Sequence, residues 1–284
     1  MTGIEEHTLN LDDIDINYID VGQGDVMLFL HHGGGFWQTW QHQIAHFQDS
    51  YRIICFDWPS HGKSSVADKL DLEYMTQILN KFLLQKGIEK FHLIGHCIGA
   101  SIALNFASSN TDRVLTLSLL NVCPGARFIK YPIYSKFLQY IKNKERLGKV
   151  VGRIFIKIFQ LFYVRLSIYP AILFNKDTSK LDPLYQTFRN KIDTAKQQKV
   201  LLQLLLDVES YSLSTNILGL ASVDALMWGT ENKVTTFKTD GQYFDRHILS
   251  CALEPIADSG HLSQYESHKK VNQLIRRAIE KIIK

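Results

Sequence analysis

The stretch that most constrains the chain runs from Phe91 to Ala107. Phe91-His92-Leu93-Ile94 is a short apolar run of strand type. Gly95-His96-Cys97-Ile98-Gly99 follows, and Ala100-Ser101-Ile102-Ala103-Leu104-Asn105-Phe106-Ala107 leaves with helical character. A strand turning directly into a helix, with small residues two places either side of a reactive side chain, is the geometry of a turn that exposes a nucleophile. The glycines answer to a sharp bend and close backbone approach. Cys97 is therefore the residue against which the rest of the chain is read.

The flanks repeat the same strand-and-helix unit. Residues 7–21 alternate in strand fashion (Ile14, Ile16, Tyr18, Val21) and end at Gly22-Gln23-Gly24, which reads as a hairpin turn. Val26–Leu30 is a buried strand by composition and runs into His31-His32-Gly33-Gly34-Gly35. Arg52–Phe56 is another, followed by Asp57-Trp58-Pro59-Ser60-His61-Gly62-Lys63-Ser64. Helical spacing covers Leu72–Leu84, and a strand is predicted over Val114–Val122. After Pro124 the pattern becomes helical, rich in Phe, Tyr, Ile, Lys and Arg. The β/α rhythm resumes at Val223–Trp228, with a further strand at Leu253–Ala257 and a closing helix over 266–283. Alternation of this length argues for a parallel sheet covered on both faces. The domain reading is a core formed by 1–125 and 221–284, interrupted by a helical insert over 126–220.

Four cysteines (Cys55, Cys97, Cys123, Cys251) lie far apart without a C-x-x-C pair, so neither a disulfide framework nor a zinc knuckle is indicated. No basic-then-apolar leader opens the chain, and the expected address is cytoplasmic. The net charge of +4 hides an asymmetry. Residues 127–220 hold sixteen Lys and Arg against six Asp and Glu, leaving sixteen against twenty-two elsewhere. A basic insert in a mildly acidic body points to an anionic partner.

The order of the strand-end motifs is specific. One strand ends at His32-Gly33-Gly34-Gly35, the next at D-x-P-x-x-G-x-S (Asp57 to Ser64). The third ends at G-x-C-x-G, a fourth at W-G-x-x-N (Trp228 to Asn232), and the last at Asp258-Ser259-Gly260-His261. Over nearly the whole chain this set resembles the α/β-hydrolase superfamily. The resemblance implies a mostly parallel sheet of about eight strands, helices on both faces, and a helical cap inserted after the sixth strand. It also implies roles. Cys97 stands where the family commonly has serine, and His261 matches the base after the last strand. Backbone N–H groups of Ile98 and Gly34, with Gly35 next, are the expected oxyanion donors. Phe36, Trp37, His96, Trp58 and Leu262 are expected to line the substrate site. Asp57, Gly62 and Ser64 are read as fixing a loop.

The third catalytic position departs from the pattern, since Gly229-Thr230-Glu231-Asn232 puts asparagine where aspartate is usual. A thiol needs less help than a hydroxyl, because an adjacent imidazole can form an ion pair with it and an amide can orient the ring. Asn232 is the first expectation, with Glu231 or an acid elsewhere as alternatives. The expected chemistry is hydrolysis of an ester or thioester through a Cys97 acyl-enzyme. Transfer of the same acyl group by an acyltransferase or condensing enzyme is the alternative within that class. A ligand-binding protein with a decayed triad is the alternative of a different class. No cofactor or metal is called for.

Between Arg127 and Arg165, ten basic residues meet one acid and are interleaved with aromatics such as Tyr131, Phe137, Phe155 and Phe162. An acyl group in an aromatic tunnel, carried on coenzyme A or an acyl carrier protein docked on the lysines, would use both features. Contact with an anionic membrane surface is the rival, and nucleic acid is disfavoured for want of a binding motif.

Overall fold

A computed structural model describes residues 3–128, 154, 183–184, 187, 195–220 and 222–281. Eight strands form one sheet: β1 (His7–Leu11), β2 (Ile14–Val21), β3 (Val26–Leu30), β4 (Arg52–Phe56), β5 (Phe91–His96), β6 (Val114–Leu120), β7 (Ala225–Gly229) and β8 (Leu253–Ile256). Their spatial order is β1-β2-β4-β3-β5-β6-β7-β8. The pairs β1–β2 and β2–β4 are antiparallel and the other five are parallel. Every residue of β5 is buried, as a central parallel strand covered on both faces requires.

Each face carries its own apolar layer. On one side α2 (Leu72–Gln85) and α3 (Ile98–Ser109) pack on the sheet. Asp71 caps α2 by accepting from the Tyr74 N–H at 2.9 Å, and Leu72, Met75, Ile78, Leu79, Phe82 and Leu83 form its buried stripe. On the other side α1 (Gln41–Phe47) and the closing helix α8 (His268–Glu280) bury Ile44, Phe47, Val271, Leu274, Ile275 and Ala278 against Phe29, Cys55 and Met227. The described part of 126–220 is helical: α4 (Ala195–Asp207) and α5 (Thr215–Leu220), joined through a 3-10 turn at Val208–Tyr211. Two short helices, α6 (Gln242–His247) and α7 (Ser263–Glu266), complete the chain.

Two local expectations are corrected. Gly22-Gln23-Gly24 does not close a hairpin, because β2 pairs with β4 and β3 lies beyond β4. The hairpin is β1–β2, with Leu11 opposite Ile14 across a two-residue Asp12-Asp13 turn and Asp12 at φ 57°. Aspartate tolerates that left-handed conformation, which the turn requires. The closing helix begins at His268 rather than at Glu266, since a short helix ends at Glu266 and Ser267 intervenes.

Candidate active site

β5 delivers the chain to Cys97, which sits at φ 55° and ψ −113° and is the N-cap of α3. A non-glycine residue there is strained and survives because both ends are pinned. The Cys97 N–H donates to the Leu120 carbonyl at 3.0 Å, and its own carbonyl accepts from Ala100 and Ser101 as the helix starts, each at 3.1 Å. The flanking glycines are required by contact. A Cβ on Gly95 would lie 2.5 Å from the Gly99 carbonyl oxygen, and one on Gly99 would lie 2.4 Å from that of Leu30. This turn holds α3 against the strand ends and leaves no room for side chains at either glycine.

Three groups meet the Cys97 sulfur. The backbone N–H groups of Ile98 and Gly33 hydrogen-bond toward it, and so does the side chain of Cys123. The Cys123 contact, with burial next, pushes the Cys97 thiol well above its ordinary value, against the smaller pull of the two N–H groups. The glycine N–H that faces the resting thiol is thus that of Gly33, whereas the expectation named Gly34. The Gly34 N–H donates to Nε2 of His61 at 3.0 Å, and the Gly35 N–H to the His32 carbonyl at 3.0 Å.

A buried imidazole scaffold supports that glycine loop. His61 accepts from Gly34 on Nε2 and lies 2.8 Å from the Pro59 carbonyl on Nδ1, so Nδ1 carries its proton and the ring is neutral. Burial, then the neighbouring His31, lowers its pKa to about 3. The Trp58 N–H donates to His31 Nε2 at 3.1 Å, while His31 Nδ1 lies 2.7 Å from the His32 carbonyl, which fixes the same tautomer there. Asp57 joins the two loops. Its carboxylate accepts from the Trp37 N–H at 2.8 Å, the Lys63 N–H at 3.0 Å and the Asn17 amide at 2.9 Å. A Cβ on Gly62 would collide with that carboxylate at 1.9 Å.

His261, on the loop between β8 and α7, is fully buried. Its ring lies 4.6 Å from that of His96 and 5.7 Å from that of His32, the residues adjoining Cys97 and Gly33. Burial lowers its pKa to about 3, and among the described residues its Nδ1 has no hydrogen-bond partner. Neither proposed third member reaches it. The Asn232 oxygen accepts from the Val234 and Thr235 N–H groups at 2.9 and 3.1 Å, and its amide donates to Thr235 Oγ1 at 2.9 Å. With the oxygen held by its own loop, Asn232 has no acceptor to orient an imidazole N–H. The Glu231 side chain is exposed, and its backbone N–H binds the Ser259 carbonyl at 3.0 Å.

The expected lining residues divide. His96 sits under His261 with the Gln264 amide 3.0 Å from its Nδ1. Trp37 packs in the apolar layer on the opposite face, whereas Trp58 lies in the cluster that holds Cys97, with its indole N–H bound to the His31 carbonyl at 3.1 Å. Phe36 and Leu262 are buried. What roofs the sulfurs comes from the other half of the chain. Val200, Val208 and Tyr211 share the apolar cluster of Cys97, Ile98 and Cys123, with Leu204 packed against it. A Cβ on Gly33 would lie 3.0 Å from Leu204 Cδ1. The Tyr211 hydroxyl donates to the Leu70 carbonyl at 2.5 Å, and Lys196 binds the Gly62 and Ser64 carbonyls at 3.0 and 2.6 Å. Lysine and tyrosine together fasten this roof to the core.

Cys123 and Asn121 were not singled out from sequence. Both follow β6, the parallel neighbour of β5, with His96 opposite Leu120. That adjacency was the available signal for Cys123. Asn121, at φ 49°, accepts from the Gly229 N–H at 3.0 Å and donates to the His261 carbonyl at 2.8 Å, tying β7 to the histidine loop. Among the described residues no group of three His, Cys, Asp or Glu is placed to hold a metal, and no helix is long and apolar enough to cross a membrane. Most of the basic aromatic stretch, from Lys130 to Arg165, lies outside the described residues; Arg127 stacks on the Tyr243 ring at 4.2 Å.

Comparison with known proteins agrees with this architecture. The family model described as alpha/beta hydrolase fold matches residues 25–267. A dihydrolipoyllysine-residue acetyltransferase component of the acetoin cleaving system from Cupriavidus necator is 31% identical over 114 residues. That match spans 39% of this chain and only 30% of the relative. Monoacylglycerol lipase abhd6-B of Xenopus laevis is 22% identical over 267 residues, 89% of this chain and 75% of that one. The structure of a thermophilic esterase from Thermogutta terrifontis superposes with a TM-score of 0.75 at 21% identity, covering 98% of this chain and 99% of the esterase. From its strand order, its elbow and the family match over residues 25–267, the chain belongs to the alpha/beta hydrolase fold family.

Proposed function

We propose that the chain is a hydrolase of carboxylic esters or thioesters in which Cys97 is the nucleophile. The observation that carries this reading is the convergence of the Ile98 and Gly33 N–H groups on a sulfur held in a left-handed elbow. Two backbone donors side by side at the nucleophile are what a developing oxyanion needs once a substrate carbonyl oxygen takes over the donors that now face the sulfur. A lipase and an esterase among the similar proteins favour an ester bond.

Thiol and imidazole both rest neutral: Cys97 is held protonated by Cys123 and burial, and His261 is held deprotonated by burial. This differs from the ion pair expected from sequence. The proton leaves sulfur for the His261 ring as sulfur attacks the carbonyl, and passes to the leaving group as the acyl-enzyme forms. Water then attacks the thioester and releases the acid. The charge on residues 127–220 fits an anionic carrier of the acyl group, such as coenzyme A or an acyl carrier protein.

A second reading, a binding protein descended from an enzyme, is favoured by one observation, the His261 Nδ1 without a carboxylate partner. Mass spectrometry after incubation with a panel of p-nitrophenyl esters and acyl-thioesters separates the two. An acyl adduct on Cys97 that is absent from Cys97→Ala supports the enzyme. Tight retention of intact ester with no adduct supports the binding protein.

A further inference from the structure

Cys97 and Cys123 are a pair of thiols that the fold brings together from the ends of two adjacent parallel strands. The Cys123 N–H donates to the Cys97 carbonyl at 3.2 Å, and the Ser101 hydroxyl contacts both residues' carbonyls, that of Cys123 at 3.1 Å and that of Cys97 at 3.5 Å. The Cys123 side chain lies close enough to be the largest influence on the Cys97 thiol, and both residues belong to one apolar cluster at 7% and 2% exposure. A direct backbone hydrogen bond brings two Cα atoms into the range that a disulfide spans. The remaining cysteines have no such partner in place. Cys55 is buried in the layer on the opposite face of the sheet, and Cys251 is half-buried near β8.

We propose that Cys97 and Cys123 form an oxidisable dithiol, a modification site at which a hydroperoxide converts the nucleophile's sulfur into a reversible intramolecular disulfide. One thiol attacks the peroxide oxygen, giving a sulfenic acid and releasing an alcohol, or water from hydrogen peroxide. The second sulfur then displaces hydroxide from the sulfenic acid, forming the S–S bond, and the hydroxide leaves as water with the second thiol's proton. Sulfur is oxidised, the peroxide is reduced, and a dithiol reductant restores both thiols. The Cys123 contact, with burial next, holds the Cys97 thiol protonated, so its oxidation is slow at neutral pH and quickens in alkali. Cys123 would thereby shield Cys97 from irreversible oxidation to the sulfinic acid. None of this requires Cys97 to be catalytic.

The test is hydrogen peroxide treatment of the full chain, alkylation in denaturant and peptide mapping without reduction. The expected product is a linked Cys97–Cys123 peptide, with two alkylatable thiols lost and both recovered with dithiothreitol. In Cys123→Ser the linked peptide disappears and Cys97 proceeds to the sulfinic acid. A measurement on the unmodified sequence covers the case in which that variant does not fold. Phenylarsine oxide bridges neighbouring thiols with loss of water, and one equivalent should protect Cys97 and Cys123, but not Cys251, from iodoacetamide. Cys97 sulfinic acid without a linked peptide, a link to Cys55 or Cys251, or no arsenical protection would each overturn the proposal. Because every readout is a mass, failure here is distinguishable from absence of ester hydrolysis.

Discussion

At the scale of single residues, Cys97 combines an exposed-type turn with a protected thiol. The Cys123 side chain is the largest cause of the raised thiol pKa, with burial second. Replacing Cys123 with alanine should therefore lower the pH at which Cys97 reacts. In the native chain its iodoacetamide rate should climb without a plateau through the ordinary thiol range near 8.5. In Cys123→Ala the rise should come at lower pH, and an unchanged profile would contradict the assignment. Asn232 illustrates a different point. Its three side-chain hydrogen bonds all serve the 232–235 turn. Asn232→Ala is expected to cost about 1–3 kcal/mol in denaturant unfolding, the price of leaving buried donors unpaired, while the acylation rate per folded molecule stays unchanged. A collapse in rate at unaltered stability would restore Asn232 to the catalytic group.

At the scale of elements, the junction of β5 with α3 leaves almost no freedom. The position of a Cβ on Gly99, 2.4 Å from the Leu30 carbonyl oxygen, means that either α3 or β3 must move to admit it. Gly99→Ala should destabilise by about 3 kcal/mol or more, read as a lowered thermal midpoint, since overpacking against backbone has no flexible end to give way. Asn121 links elements in a comparable way, joining the end of β6 to the β7 terminus and to the His261 carbonyl. Asn121→Ala should loosen the histidine loop ahead of the rest of the fold, and hydrogen exchange at the Gly229 amide should rise before global unfolding. Protection unchanged at Gly229 would show that the sheet holds the loop without it.

For the whole molecule, the buried histidines set the response to acid. His61 and His261 have pKa values lowered to about 3, and His32 and His96 are pushed well below their ordinary value, all chiefly by burial. In the unfolded chain these rings take up protons near pH 6.5, so below that pH the unfolded state binds more protons than the native one. Stability is thus full above about pH 6.5 and falls as the pH drops toward 3, by at most roughly 1.4 kcal/mol per pH unit for any single ring. Denaturant midpoints should decline steadily from pH 6.5 to 4. A flat profile over that interval would mean that water or a counter-charge reaches the cluster.

Much of the fold was legible in the sequence, because periodicity and strand-end punctuation are local. The runs at 26–30, 52–56 and 91–94 read directly as strands, and Gly95 and Gly99 marked the elbow, since a sharp turn allows few residue types. The same local reading placed a hairpin at Gly22–Gly24, because pairing partners are not encoded next to the turn. It also named Gly34, with Gly35 next, as the glycine donor, and joined Asn232 to His261 by motif position. Those choices turn on where a single N–H or carbonyl points, and neighbouring loops decide that only once they are packed. By itself the sequence determined that a nucleophile-type turn would stand on a parallel sheet with a cysteine at its apex. Only the tertiary structure decided what that cysteine faces, the Ile98 and Gly33 N–H groups and the Cys123 thiol. The physical reason is that Cys123 follows a different strand from the one that delivers Cys97, and strands become neighbours only when the sheet forms.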